Sequence, residues 1–147
     1  MRSFFPWIGG KSQLAKRITA VFPGDIQRYI EAFGGGGSVL FYKDRHAPFK
    51  VYNDADGQLV NLFCCVKYHR TELQREIAEY INSREIFEDI CSTIGMRGLT
   101  DIQRAAMFYV QIKMSYGADR RSYGCTPKNL SADHLNRFSS AFEWVRA

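Results

Sequence analysis

The stretch that decides the fold is Tyr29-Ile30-Glu31-Ala32-Phe33-Gly34-Gly35-Gly36-Gly37-Ser38, resumed by Phe49-Lys50-Val51-Tyr52-Asn53-Asp54. The first run reads as a short strand that ends in four consecutive glycines. Ser38 suits a helix N-cap, which predicts a short helix over residues 38–42. His46-Ala47-Pro48 breaks that helix. Phe49 to Tyr52 alternates in strand fashion and stops at Asn53-Asp54. A long apolar helix follows over residues 58–68. Strand, glycine loop, helix, strand, acid, helix is the opening of a doubly wound α/β sheet. Two strands do not make a stable sheet alone, so further strands are expected.

Upstream, residues 1–10 are aromatic and glycine-rich and read as a loop. Leu14, Ile18 and Val21 then fall at helical spacing, predicting a helix over residues 11–22 that Pro23-Gly24-Asp25 stops. Downstream the pattern is helical. Helices are expected over residues 71–81 and 84–94, with a break at Gly95-Met96-Arg97-Gly98. Thr100 and Gln103 fit a capping box ahead of a helix over residues 105–114. A polar loop covers residues 116–129. A last helix starts near Ser131, carries Leu135, Phe138, Phe142 and Val145 on one side, and is expected to run to Ala147.

The 147 residues are about one domain in size. The net charge of +5 favours an anionic partner such as nucleic acid, but many basic domains bind none. The four cysteines form no Cys-x-x-Cys pair. Adjacent Cys64 and Cys65 face different ways on a helix and do not share a metal easily. Reduced thiols and no metal site are the expectation, with Cys91 and Cys125 in the same class. The opening Met1-Arg2-Ser3-Phe4-Phe5-Pro6-Trp7 is too short for the apolar core of a signal peptide. No apolar run approaches membrane-spanning length. A cytoplasmic chain that meets no membrane is therefore expected.

A strand that ends in glycines lets a ligand approach backbone N–H groups, although a purely structural turn reads the same way. Asp54 lies about twenty residues further on, after the next strand, where an acid can take the ribose hydroxyls of an adenosine cofactor. Its bland alternative is a helix N-cap, because Asp54 and Asp56 both precede a helix. Glu31 sits inside an apolar strand and needs partners if buried; a cationic ligand group is one, and exposure on an edge strand is the alternative. Gly9-Gly10-Lys11-Ser12 imitates the end of a phosphate-binding loop. Phe5 stands where that motif needs glycine, and no strand is expected before it. Residues 113–124 interleave Lys113, Tyr116, Arg120, Arg121 and Tyr123. Such residues can stack on bases and take phosphates, or they can be a solvated loop with two packed tyrosines.

Together these pieces resemble the Dam-like family of DNA adenine-N6 methyltransferases. Phe5-Pro6-Trp7-Ile8-Gly9-Gly10-Lys11 resembles its W-x-G-G-K element. Residues 29–39 resemble its E-P-F-x-G-x-G-S cofactor loop, with Ala32 in place of the usual proline. Asn53-Asp54-Ala55-Asp56-Gly57-Gln58-Leu59-Val60 resembles its N-D-x-N-x-x-L-[IV] element. Arg104 to Tyr109, followed by Lys113 to Gly117, resembles its helical recognition segment, particularly the phage and prophage branch.

The resemblance implies a Rossmann-like fold that binds S-adenosylmethionine, with an incomplete sheet and an inserted helical DNA-recognition segment. Residues 1–69 would form the cofactor part and residues 70–147 the recognition part. Trp7 and Lys11 would border the cofactor and target-base pocket. Glu31, Phe33, Gly35 and Gly37 would shape its methionine end, and Asp54 would hold the ribose. Lys113, Tyr116, Arg120 and Arg121 would face double-stranded DNA. Such enzymes work in the cytoplasm of a bacterial or phage-infected cell, often in restriction–modification, mismatch marking or phage self-protection.

One departure matters. The family's catalytic signature is [DN]-P-P-[YF], and Pro6, Pro23, Pro48 and Pro127 are nowhere adjacent. No catalytic residue can be carried over. The expectation is a truncated chain, inactive alone, that needs a C-terminal complementing chain. The alternative is a non-catalytic DNA- or cofactor-binding module that works with a partner.

Overall fold

The computed structural model describes residues 3–43, 46–124, 130–143 and 145–146. The end of the expected polar loop with Cys125, residues Trp144 and Ala147 of the expected last helix, and the first two residues of the opening lie outside them.

The architecture is mixed α/β. Strands β1 (Arg28–Glu31), β2 (Phe49–Tyr52) and β3 (Val145–Arg146) form a three-stranded sheet in the order β1-β2-β3. Both pairings are parallel; Ile30 faces Val51, and Lys50 faces Val145. The helices are α1 (Ala15–Ala20), α2 (Gly57–Tyr68), α3 (Arg70–Ala78), α4 (Arg84–Thr93), α5 (Asp101–Met114) and α6 (Ser139–Glu143). One apolar core runs through both sequence segments, from Phe4 and Tyr52 to Phe108 and Phe142.

Helix α5 is the spine of the helical layer. Thr100 and Gln103 make both halves of the expected capping box, at 3.1 and 3.0 Å. Ala105, Ala106, Phe108, Tyr109, Val110, Ile112 and Met114 are all buried, which marks a helix packed on several sides. It lies against α2, α3 and α4. Helix α2 starts at Asp56, whose side chain accepts from the Gln58 and Leu59 amides. Its Phe63 stacks on Tyr52 of β2, centroids 4.0 Å apart and planes 8° apart. That contact ties sheet to helices.

Three expectations are corrected. Residues 38–42 form turns rather than a helix. Side chains take the backbone groups a helix would use: Leu40 N–H donates to Glu31 Oε2 at 3.1 Å, and Lys50 Nζ donates to the Leu40 and Lys43 carbonyls at 3.3 and 3.1 Å. The first helix is shorter than expected, because residues 12–14 are turns and the helix ends at Ala20. The final segment is not one helix. Residues Asp133–Phe138 are 3-10, α6 follows, and the chain becomes strand β3. Leu135, Phe138, Phe142 and Val145 are still buried as their spacing predicts.

Candidate cofactor and DNA site

Both long strands point their carboxyl ends at one place. The glycine turn follows β1, and Asn53-Asp54 follows β2. Parallel pairing sets the two side by side, where open α/β sheets bind ligands. Gly34 N–H donates to Asn53 O at 2.9 Å, and Asn53 N–H to Glu31 O at 3.0 Å. Asp54 Oδ2 accepts from Gly35 N–H at 2.8 Å, and Asp54 Oδ1 from Asp56 N–H at 3.0 Å. Capping of α2 therefore falls to Asp56, and Asp54 fastens the glycine turn.

The turn is shaped to its last atom. Gly35 and Gly37 have φ of +50° and +67°, the left-handed region where glycine carries no Cβ penalty. A Cβ on Gly34 would collide with the Tyr52 ring. Tyr52 Oη donates to Gly35 O at 2.8 Å, a contact the sequence signals only through the alternation that turns Tyr52 inward.

The sequence-predicted cofactor residues converge on this turn. The Trp7 indole lies against Gly35 and Gly36. Lys11 Nζ donates to Phe33 O at 3.2 Å. Phe33 leaves its ring 81% exposed at the lip of the turn. Glu31 is 7% exposed below it, so it does not face solvent on the edge strand. Burial raises the Glu31 pKa, against the Lys11 charge, the Leu40 amide and the Tyr29 hydroxyl, which oppose the shift. Among the described residues no strand precedes Gly9-Gly10-Lys11, so the phosphate-loop imitation lacks its setting.

The loop after α5 closes on itself. Tyr116 N–H donates to Ser122 O at 2.8 Å, and Gly124 N–H to Met114 O at 2.7 Å. Asp119 accepts from the Arg121 and Ser122 amides at 2.8 and 3.0 Å, and these bonds, that from Ser122 first, hold its carboxyl below the usual range. Tyr116 stands 74% exposed at the tip. Arg121 is exposed in the same loop. Tyr123 is packed instead, with its hydroxyl on Asn82 and Arg84 over its ring. Lys113 Nζ sits over the Tyr109 ring, 5.9 Å from its centroid.

Arg120, expected to face DNA, is held in an ion pair at the foot of the loop. Its Nη1 pairs with Asp56 Oδ2 at 2.9 Å, and its guanidinium lies 5.1 Å from the centroids of both Trp7 and Phe108. A cavity of about 230 Å³ opens between Trp7, Ile8 and residues 118–120. Asp56, Tyr52 and Phe108 are site residues that sequence reasoning missed.

The profile of D12 class N6 adenine-specific DNA methyltransferases matches residues 7–120, from Trp7 through the glycine turn and α5 to Arg120. The chain belongs to that family. It is 28% identical over 127 residues to the Type II methyltransferase M.MjaIII of Methanocaldococcus jannaschii, a match covering 82% of this chain and 39% of that protein. It is 33% identical over 63 residues to the Type II methyltransferase M.CviBI of Paramecium bursaria Chlorella virus NC1A, covering 43% of this chain and 24% of that protein. The D12 chain thus spans about two fifths or less of the length of these relatives. No helix among its described residues is long and apolar enough to cross a membrane.

Proposed function

We propose that this chain forms the methyl-donor side of a site that transfers a methyl group from S-adenosylmethionine to adenine N6 in double-stranded DNA. The carrying observation is the Asp54 bridge to Gly35, which joins the glycine turn to the end of β2 at the carboxyl edge of a parallel sheet. In this reading the sheet is part of a Rossmann-like methyltransferase fold. Residues 1–69 carry the donor side, and residues 70–147 the DNA side.

The residues fit such a cofactor. Glu31 is a buried carboxylate with raised pKa, and a cationic ammonium nearby would favour its charged form. Each Asp54 oxygen accepts one amide and has a lone pair left for a ribose hydroxyl. The exposed Phe33 ring offers a face for an adenine. Trp7 and Lys11 close the turn from the N-terminal side, and Gly35 and Gly37 let it bend tightly against Trp7, Phe41 and Phe63.

When bound, S-adenosylmethionine supplies an activated methyl group. Adenine N6 is a poor nucleophile, so positioning carries the catalysis, on a base taken out of the duplex. Lys113, Tyr116 and Arg121 are the DNA-facing residues in this reading. The 147 residues contain no adjacent prolines, so the group that holds the adenine amino comes from residues beyond them, in the same or a complementing chain. The chain by itself then binds donor without transferring the methyl.

Isothermal titration with S-adenosylmethionine tests this. Saturable binding is expected, weakened at least tenfold in Asp54→Ala and less in Asp54→Asn, which keeps one acceptor. A chain that is folded by circular dichroism yet binds no cofactor would remove the reading.

A further inference from the structure

Between the glycine turn and the loop after α5 runs one unbroken hydrogen-bonded path. Arg120 Nη1 donates to Asp56 Oδ2 at 2.9 Å, Asp56 N–H to Asp54 Oδ1 at 3.0 Å, and Gly35 N–H to Asp54 Oδ2 at 2.8 Å. A second path runs through packing. The Arg120 guanidinium lies over Trp7, and Trp7 lies against Gly35 and Gly36. Asp56 also caps α2, so it cannot swing away without freeing that helix end.

The loop backbone is bent to deliver this side chain. Ala118 and Arg120 have φ of +64° and +62°, sparsely populated for residues with a Cβ. Gln111 Nε2 holds the Arg120 carbonyl at 3.2 Å, and the Asp119 turn holds the next two amides. The side chains of the pair are 36% and 26% exposed, so a phosphate would have to compete with Asp56 for the guanidinium. Swinging out toward one would break the ion pair and leave Trp7 without its cation.

We infer that Arg120 is a positioning residue that couples residues 115–124 to the glycine turn, and that it is not one of the loop's phosphate contacts. The inference rests on reading that turn as the cofactor site. Its consequence is reciprocal: a ligand that orders the turn orders the loop, and duplex DNA on the loop tightens the turn.

The test is residue-resolved amide exchange on the full chain, wild type beside Arg120→Gln, Arg120→Lys and Asp56→Asn. Arg120→Gln and Asp56→Asn are expected to speed Gly35 N–H exchange about tenfold and leave Val110, inside α5, unchanged. Arg120→Lys keeps the charge without the planar fork and restores part of the protection. Saturating S-adenosylmethionine should slow Tyr116 N–H exchange in the wild type and not in Arg120→Gln. Unchanged Gly35 exchange in Arg120→Gln overturns the inference. If the wild type binds no cofactor, the cofactor reading falls, and the Gly35 comparison still decides the coupling. For duplex DNA, the slope of log affinity against log salt should be the same in Arg120→Gln as in the wild type; a slope shallower by about 0.9 would make Arg120 a phosphate contact.

Discussion

The glycine turn after β1 and the loop after α5 use the same local chemistry to opposite ends. Each bends through left-handed backbone, and each has an aspartate that gathers two amides: Asp54 takes Gly35 and Asp56, and Asp119 takes Arg121 and Ser122. The turn is braced from beneath. Tyr52 fills the space under Gly34 and is itself stacked on Phe63. The loop has no such floor at its tip, where a Cβ on Gly117 would meet nothing within 4 Å and Tyr116 stands in solvent. Rigidity on one side and reach on the other suit a small buried ligand and a long irregular one.

Alanine at one glycine of each region should expose the difference most strongly. Gly34→Ala drives a methyl into a ring that can neither rotate, because of the Phe63 stack, nor retreat without breaking its bond to Gly35 O. A loss of about 3 kcal/mol in urea unfolding is expected. Gly117→Ala meets only the left-handed backbone penalty, at φ +57° with open space around it, and should lose about 1 kcal/mol. Equal losses would mean that the turn is no better braced than the loop. Asp54→Ala falls between them, at about 2 kcal/mol, because two amides lose their acceptor.

The same contrast explains what was legible in the sequence. The strands, the glycine turn, α2 and the Thr100 capping box are set by neighbours close in the chain, and they can be read residue by residue. The failures involve distant partners. Residues 38–42 carry helix signals, yet Glu31 and Lys50 take their backbone groups from across the sheet. β3 exists because β2 offers it an edge, which the helical spacing of Leu135, Phe138 and Phe142 does not reveal. Arg120 reads as a DNA contact among its sequence neighbours, and its pairing with Asp56, 64 residues away, and its packing on Trp7 and Phe108 are not legible there.

Two titrating groups near β1 probe the braced region with smaller effects. Burial raises the Glu31 pKa above its ordinary 4.5. Just above that value the folded chain keeps a proton that the unfolded chain has lost, so stability is fullest below it and falls as pH rises through the folded pKa. His46 moves the other way. Burial first, then the Lys50 charge, lowers its pKa from 6.5 to about 4. Its contribution is present above 6.5 and is lost as pH falls toward about 4. The slopes oppose each other, and single substitutions separate them. Melting temperatures of His46→Gln should fall more steeply with rising pH than those of the wild type, and those of Glu31→Gln should only rise. In the proposed reading S-adenosylmethionine affinity should also rise as pH passes the Glu31 pKa, because its ammonium would pair with the carboxylate.

The smallest effect on folding is expected at the loop tip, and it carries the functional half of the comparison. Tyr116 is 74% exposed, so Tyr116→Ala should change stability by less than about 0.5 kcal/mol. In the proposed reading this exposed ring of a closed loop stacks on a base, and such stacking is worth about 1–3 kcal/mol per base. Duplex DNA affinity should therefore fall about tenfold in Tyr116→Ala, with the salt slope unchanged because no charge is lost. Arg121→Gln should flatten that slope by about 0.9 instead. If neither variant weakens DNA binding while both stay folded, the loop is a solvated surface and the DNA side of the site must be sought elsewhere on the chain. A stability loss in Tyr116→Ala as large as that in Gly117→Ala would mean that the ring is packed in solution, and the contrast between a braced turn and a reaching loop would fail at its second term.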